Sequence, residues 1–85
     1  MVSFGSWLKE QKDRDHRIGD LSRDFLQTLQ LTGHRPSFYS TPTKFKKIHL
    51  KDCTWDKVWH TFDEAVVEYK LHSLVYRLMK RDGRK

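Results

Sequence analysis

The chain has 85 residues, 36% of them hydrophobic and 33% charged, and its 17 Lys/Arg against 11 Asp/Glu leave a formal net charge of +6. That length holds one small domain whose stability depends on a few large side chains, and the single cysteine, Cys53, excludes an internal disulfide. No run of about 18 apolar residues occurs, so nothing is expected to span a membrane; Met1 to Lys12 lacks the apolar stretch of a secretory signal, and a reducing, cytoplasmic setting follows.

Ser3 is placed to cap a short first helix, Phe4 to about Gln11, with Phe4, Trp7 and Leu8 on one face. The wholly polar run Lys12 to Arg17 reads as a loop, with Asp15 as cap for the next helix. That second helix is predicted from about Arg17 to Leu31. Ile18, Leu21, Phe25 and Leu29 form its apolar stripe, widened by Leu26, and Asp20 and Asp24 sit outside near Arg17 and Arg23. Gly19 lies inside it at a cost of about 1 kcal/mol relative to alanine. A close approach by another helix, at Trp7 or Trp59, is the expected reason. Gly33 closes the helix.

After the Pro36-containing loop, Thr41 followed by Pro42 has the form of an N-cap with proline at the first helical position. A third helix, Pro42 to Lys51, puts Phe45, Ile48 and His49 inward, with Lys44, Lys47 and Lys51 outward and Lys46 to one side. From Thr54 the apolar pattern is long: Trp55, Val58, Trp59, Phe62, Ala65, Val66 and Tyr69, then Leu71, Leu74, Val75, Leu78 and Met79 with a phase shift near His72. One helix of about 27 residues, about 40 Å long, is the simplest reading. The rival is a break at Thr61, where Thr61 to Glu64 has the form of a capping box. Trp59 is expected at the centre of the core, against Trp7 and Phe25, with Phe45, Trp55, Phe62 and Tyr69 around it.

The opening SFGSWLKEQKDRDHRIGDLSRDF resembles the YozE-type SAM-like (sterile alpha motif-like) family, which opens S-F-x-x-W-L and continues I-G-D-L-A-x-D. Ser3, Phe4, Trp7, Leu8, Ile18, Gly19, Asp20, Leu21 and Asp24 carry the likeness, with Ser22 in place of the usual alanine. Phe62, Ala65 and Tyr69 match the family's closing helix F-x-x-A-W-x-x-Y, with Val66 in place of tryptophan; residues 33–52 match only loosely. The resemblance implies a compact four-helix bundle of bacterial or phage origin with no established activity. The expected fold is thus all-α: a SAM-like bundle over residues 1–69 and a basic helical extension over 70–85, beyond the family's usual boundary.

Catalytic and metal constellations are missing. No GxSxG, glycine-rich phosphate loop or HExxH occurs. His49 and Cys53 stand four apart with His60 seven further on, too sparse for a paired-ligand zinc site. Cys53 as a nucleophile with His49 or His60 as base is the one catalytic arrangement the order of residues allows, and a small bundle offers it little pocket. The expectation is a non-enzymatic domain with no catalytic residue, metal, cofactor or small-molecule substrate.

Charge points to partners. Residues 1–69 hold 11 Lys/Arg against 10 Asp/Glu, whereas residues 70–85 hold six Lys/Arg against Asp82 alone. Lys44, Lys46, Lys47 and Lys51 form one basic set, and Arg77, Lys80, Arg81, Arg84 and Lys85 the other. Together they suggest nucleic-acid binding through phosphates, without base readout. A level alternative is protein interaction or self-association through Leu71, Leu74, Val75, Leu78 and Met79, the stripe a helix outrunning its bundle leaves uncovered. Membrane adhesion is weaker, because the tail lacks Trp and Phe.

Overall fold

A computed structural model describes residues 2–82. Four α-helices, α1 (Phe4–Lys9), α2 (Arg17–Thr32), α3 (Pro42–His49) and α4 (Asp56–Asp82), are joined by loops, with a 3-10 turn at Pro36–Phe38. No strand occurs among the described residues.

Helix starts follow local chemistry. Ser3 Oγ accepts from the Ser6 amide at 3.1 Å and Thr41 Oγ1 from the Lys44 amide at 3.1 Å, each satisfying a donor that the first turn leaves open. The start of α2 is capped by His16 rather than Asp15: His16 Nδ1 accepts from the Ile18 amide at 3.1 Å. Gly33 ends α2 with φ of 75°, the left-handed conformation expected of that position. Two helices are shorter than their apolar patterns suggest. The chain leaves α1 at Lys9 through tight turns, and α3 ends at His49, so Lys51 lies beyond it.

The core is a lattice of aromatic rings. Phe4 meets Trp7, Phe45, Phe62 and Tyr69 at centroid distances of 5.2–6.0 Å, while Phe45 also meets Phe25 at 5.2 Å and stacks on Phe62 at 5.7 Å. Tyr39, from the loop after the 3-10 turn, is fully buried against Phe25 at 4.9 Å. Trp59 is not central. It is partly buried at the edge, meets Phe62 at 6.0 Å and donates from Nε1 to the Cys53 carbonyl at 3.0 Å. Trp55, ahead of α4, and Ile48 are exposed rather than inward. A ring the size of indole fills an edge groove as readily as a centre, and helical spacing does not distinguish the two.

Close approach explains Gly19, but its neighbour is not a helix. A Cβ there would stand 2.0 Å from the Arg14 carbonyl oxygen, in the turn leading into α2. Gly5 has the same role unannounced: a Cβ would stand 2.1 Å from the Pro36 carbonyl oxygen, and the Gly5 amide donates to the Tyr39 carbonyl at 2.9 Å. Buried Ser22 donates to the Leu8 carbonyl at 2.6 Å and so ties α2 to the end of α1.

α4 is one uninterrupted helix of 27 residues. Thr61 does not break it; its hydroxyl bonds back to the Lys57 carbonyl at 2.9 Å, one turn earlier. At 1.5 Å per residue the helix is about 40 Å long, which accounts for most of the molecule's longest extent, 46 Å against 26 and 23 Å across.

Candidate interaction surface

α4 carries two apolar faces on opposite sides. At about 100° per residue, Phe62, Ala65, Tyr69 and Ser73 share one side, and all four are buried against the bundle. Tyr69 anchors it further by donating its hydroxyl to the Val2 carbonyl at 2.7 Å. Val67, Leu71, Leu74 and Leu78 fall within about 60° of one another on the opposite side. With Val75 and Met79 at its margin, that second face is 47–68% exposed. The expected phase shift near His72 is this change of face.

All five stripe residues expected from the sequence are exposed, Leu71, Leu74 and Leu78 together on this side and Val75 and Met79 on its flank. Val67, 58% exposed, extends it by a turn and was missed. Its signal was available: positions 67, 71, 74 and 78 follow the four-three-four spacing of a helix-pairing seam. Beside the stripe, Trp7, Gln11 and Glu68 join Leu71, His72 and Val75 in a shallow groove of about 400 Å³ between α1 and α4.

The second half of α4 is held in place by its first half. Arg14 reaches Glu68 with both terminal nitrogens, at 2.8 and 3.3 Å, and Arg17 pairs with Glu64. The Glu68 hydrogen bond and charge hold the Arg14 guanidinium pKa above its usual value, against the opposing effect of burial. Arg17 is therefore spent on α4 rather than on Asp20. Asp20 pairs with Arg23, and Asp24 Oδ2 lies 3.2 Å from His49 Nε2.

The first basic set is divided among neighbours. Lys44 Nζ sits 4.1 Å from the centre of the Phe38 ring and Lys46 Nζ 5.6 Å from that of Trp59, so these two turn to different neighbours. Lys47 and Lys51 are exposed, as is Arg77 on α4. Lys80 and Arg81 are placed by their backbone in the last turn of α4, and Arg84 and Lys85 lie outside the described residues.

One further cleft, of about 530 Å³, opens between α2 and the α3–α4 junction. Leu21, Leu50 and Val58 line it with Cys53, and the His49–Asp24 pair stands at its side. His49 Nε2 is thereby committed to a carboxylate. Among the described residues no three His, Cys, Asp or Glu side chains are grouped to hold a metal ion, and no helix is long and apolar enough to cross a membrane.

Compared with known proteins, the chain matches no family model, no curated protein and no solved structure.

Proposed function

We propose that this chain is a non-enzymatic binding domain that docks a partner helix on the outward apolar face of α4. The observation carrying that reading is the second apolar face itself, placed opposite the bundle at helix-pairing spacing. In water such a face is stabilised only by another apolar surface laid upon it. The rest of the chain reads as a SAM-like scaffold for this helix: Phe4, Trp7, Leu8, Ile18, Leu21, Phe62, Ala65 and Tyr69, the apolar residues of the family resemblance, are all in the core.

Nucleic-acid binding draws less support. Lys44 and Lys46 lie against aromatic rings. A titration with a synthetic amphipathic helix bearing leucine at heptad a and d positions tests the docking face. The chain should bind it, and the Leu71→Ser/Leu74→Ser/Leu78→Ser variant should bind at least tenfold more weakly with unchanged circular dichroism and Tm. Failure of the native chain to bind the helix, together with retention of duplex DNA at about 50 mM salt and a log–log salt slope of about −4, would hand the tail to phosphate binding instead.

A further inference from the structure

We infer that the helix covering this face is α4 of a second copy, running antiparallel to the first. The inference rests on the docking face proposed above and adds its occupant.

The face suits its own copy sterically. Because the bundle packs on the other side of α4, two chains meeting stripe to stripe keep their bundles apart on the two outer sides. Val67 layers on Leu78 of the second copy and Leu71 on Leu74, so the four central positions find apolar counterparts, with Val75 and Met79 flanking them. The area is sufficient. Six aliphatic side chains about half exposed leave on the order of 500 Å², a large contiguous patch for a monomer. Two copies together bury on the order of 1,000 Å², where specific interfaces begin.

Charge selects the direction. The first half of α4 carries Asp56, Asp63, Glu64 and Glu68 against Lys57, with Glu64 and Glu68 already paired to Arg17 and Arg14, whereas the sequence from Lys70 onward holds six cations against Asp82 alone. Parallel helices would set the two basic ends side by side. Antiparallel helices set each basic end against the carboxylate-bearing half of the other copy and also oppose the helix dipoles. One edge remains unfavourable: Lys70 of each copy comes near Arg77 of the other, which limits affinity without reversing the preferred direction.

The test combines mass with a distance. Light scattering of the full chain over a range of concentrations should show a mass rising from monomer to dimer. The triple serine variant and Leu78→Ser alone should each shift that transition to higher concentration, the triple by at least tenfold, with circular dichroism retained. A spin label on Lys57→Cys in a Cys53→Ser background reads orientation, since the antiparallel register separates the two labels by about 45 Å along the helices. A separation under about 20 Å means parallel pairing and overturns the proposal, as does a dimer indifferent to the serine variants. A chain monomeric at every concentration overturns it too. If that monomer still binds the synthetic leucine helix, the docking face stands and only its occupant was wrong; if it ignores the helix, both fall.

Discussion

Phe45 and Trp59 show how ring position, rather than ring size, sets the energetic weight of a side chain here. Phe45 is fully buried and touches the rings of Phe4, Phe25, Tyr39 and Phe62. Trp59 meets Phe62, caps the Cys53 carbonyl and supports Lys46 from the edge. Phe45→Ala should therefore cost about 3–5 kcal/mol, most of the stability of a domain this small. Trp59→Ala should cost about half as much, because the groove it leaves opens to water instead of remaining as a void. Urea melts of the two variants check the order, and equal losses would restore Trp59 to the centre. The apolar spacing identified both residues as core-facing without ranking them, since a periodic pattern reports which side of a helix is dry and not how deep each position lies.

α4 is the element in which pattern and structure differ most usefully. Its length was legible because no glycine or proline interrupts the sequence from Thr54 to Asp82, whereas its continuity past Thr61 was one of two readings. The capping-box signal at Thr61 is real chemistry used differently, as a bond back to Lys57 inside a continuing helix. Beyond Ser73 every side chain described on α4 is at least partly in water, so the second half depends on the first for its helicity. Leu74→Pro should then remove helicity from residue 74 onward while leaving the melting of the bundle in place. It should also abolish the concentration-dependent mass, because Leu74 and Leu78 leave the seam. Circular dichroism with thermal melts checks the first part. Collapse of the bundle would show that the tail packs back on the domain.

Global stability should fall in alkali through Tyr39. Burial pushes the Tyr39 phenol pKa up, partly offset by a hydrogen bond with Thr32, and its hydroxyl also lies 3.0 Å from His34 Nδ1. In the unfolded chain a tyrosine loses its proton near pH 10. A raised pKa in the fold means that, above that pH, unfolding releases a proton that the folded state retains. The Tyr39 contribution is thus fully present below about pH 10 and is lost as pH rises through the higher folded value. Urea midpoints between about pH 8 and 11 should decline at the top of that range in the native chain, and less so in Tyr39→Phe. An identical decline in both would place its cause in other groups.

The linear order of residues was enough to specify an all-helical domain, the caps at Ser3, Thr41 and Gly33, and the long final helix, because each follows from chemistry within one or two turns. It also grouped Leu71, Leu74, Val75, Leu78 and Met79, all exposed in the structure, since period alone relates residues around a helix. What needed the folded chain was every relation between segments far apart in sequence. Gly19 against Arg14 and Gly5 against Pro36 are backbone approaches invisible to side-chain periodicity. Arg17 leaves its helical neighbour Asp20 for Glu64, 47 positions away. Most consequentially, the bundle occupies one side of α4 and thereby leaves Val67 and the stripe beyond it on the other. A sequence can show that a helix has two apolar faces, but which one its own domain covers is decided by packing, and the face left over is the one available to a partner.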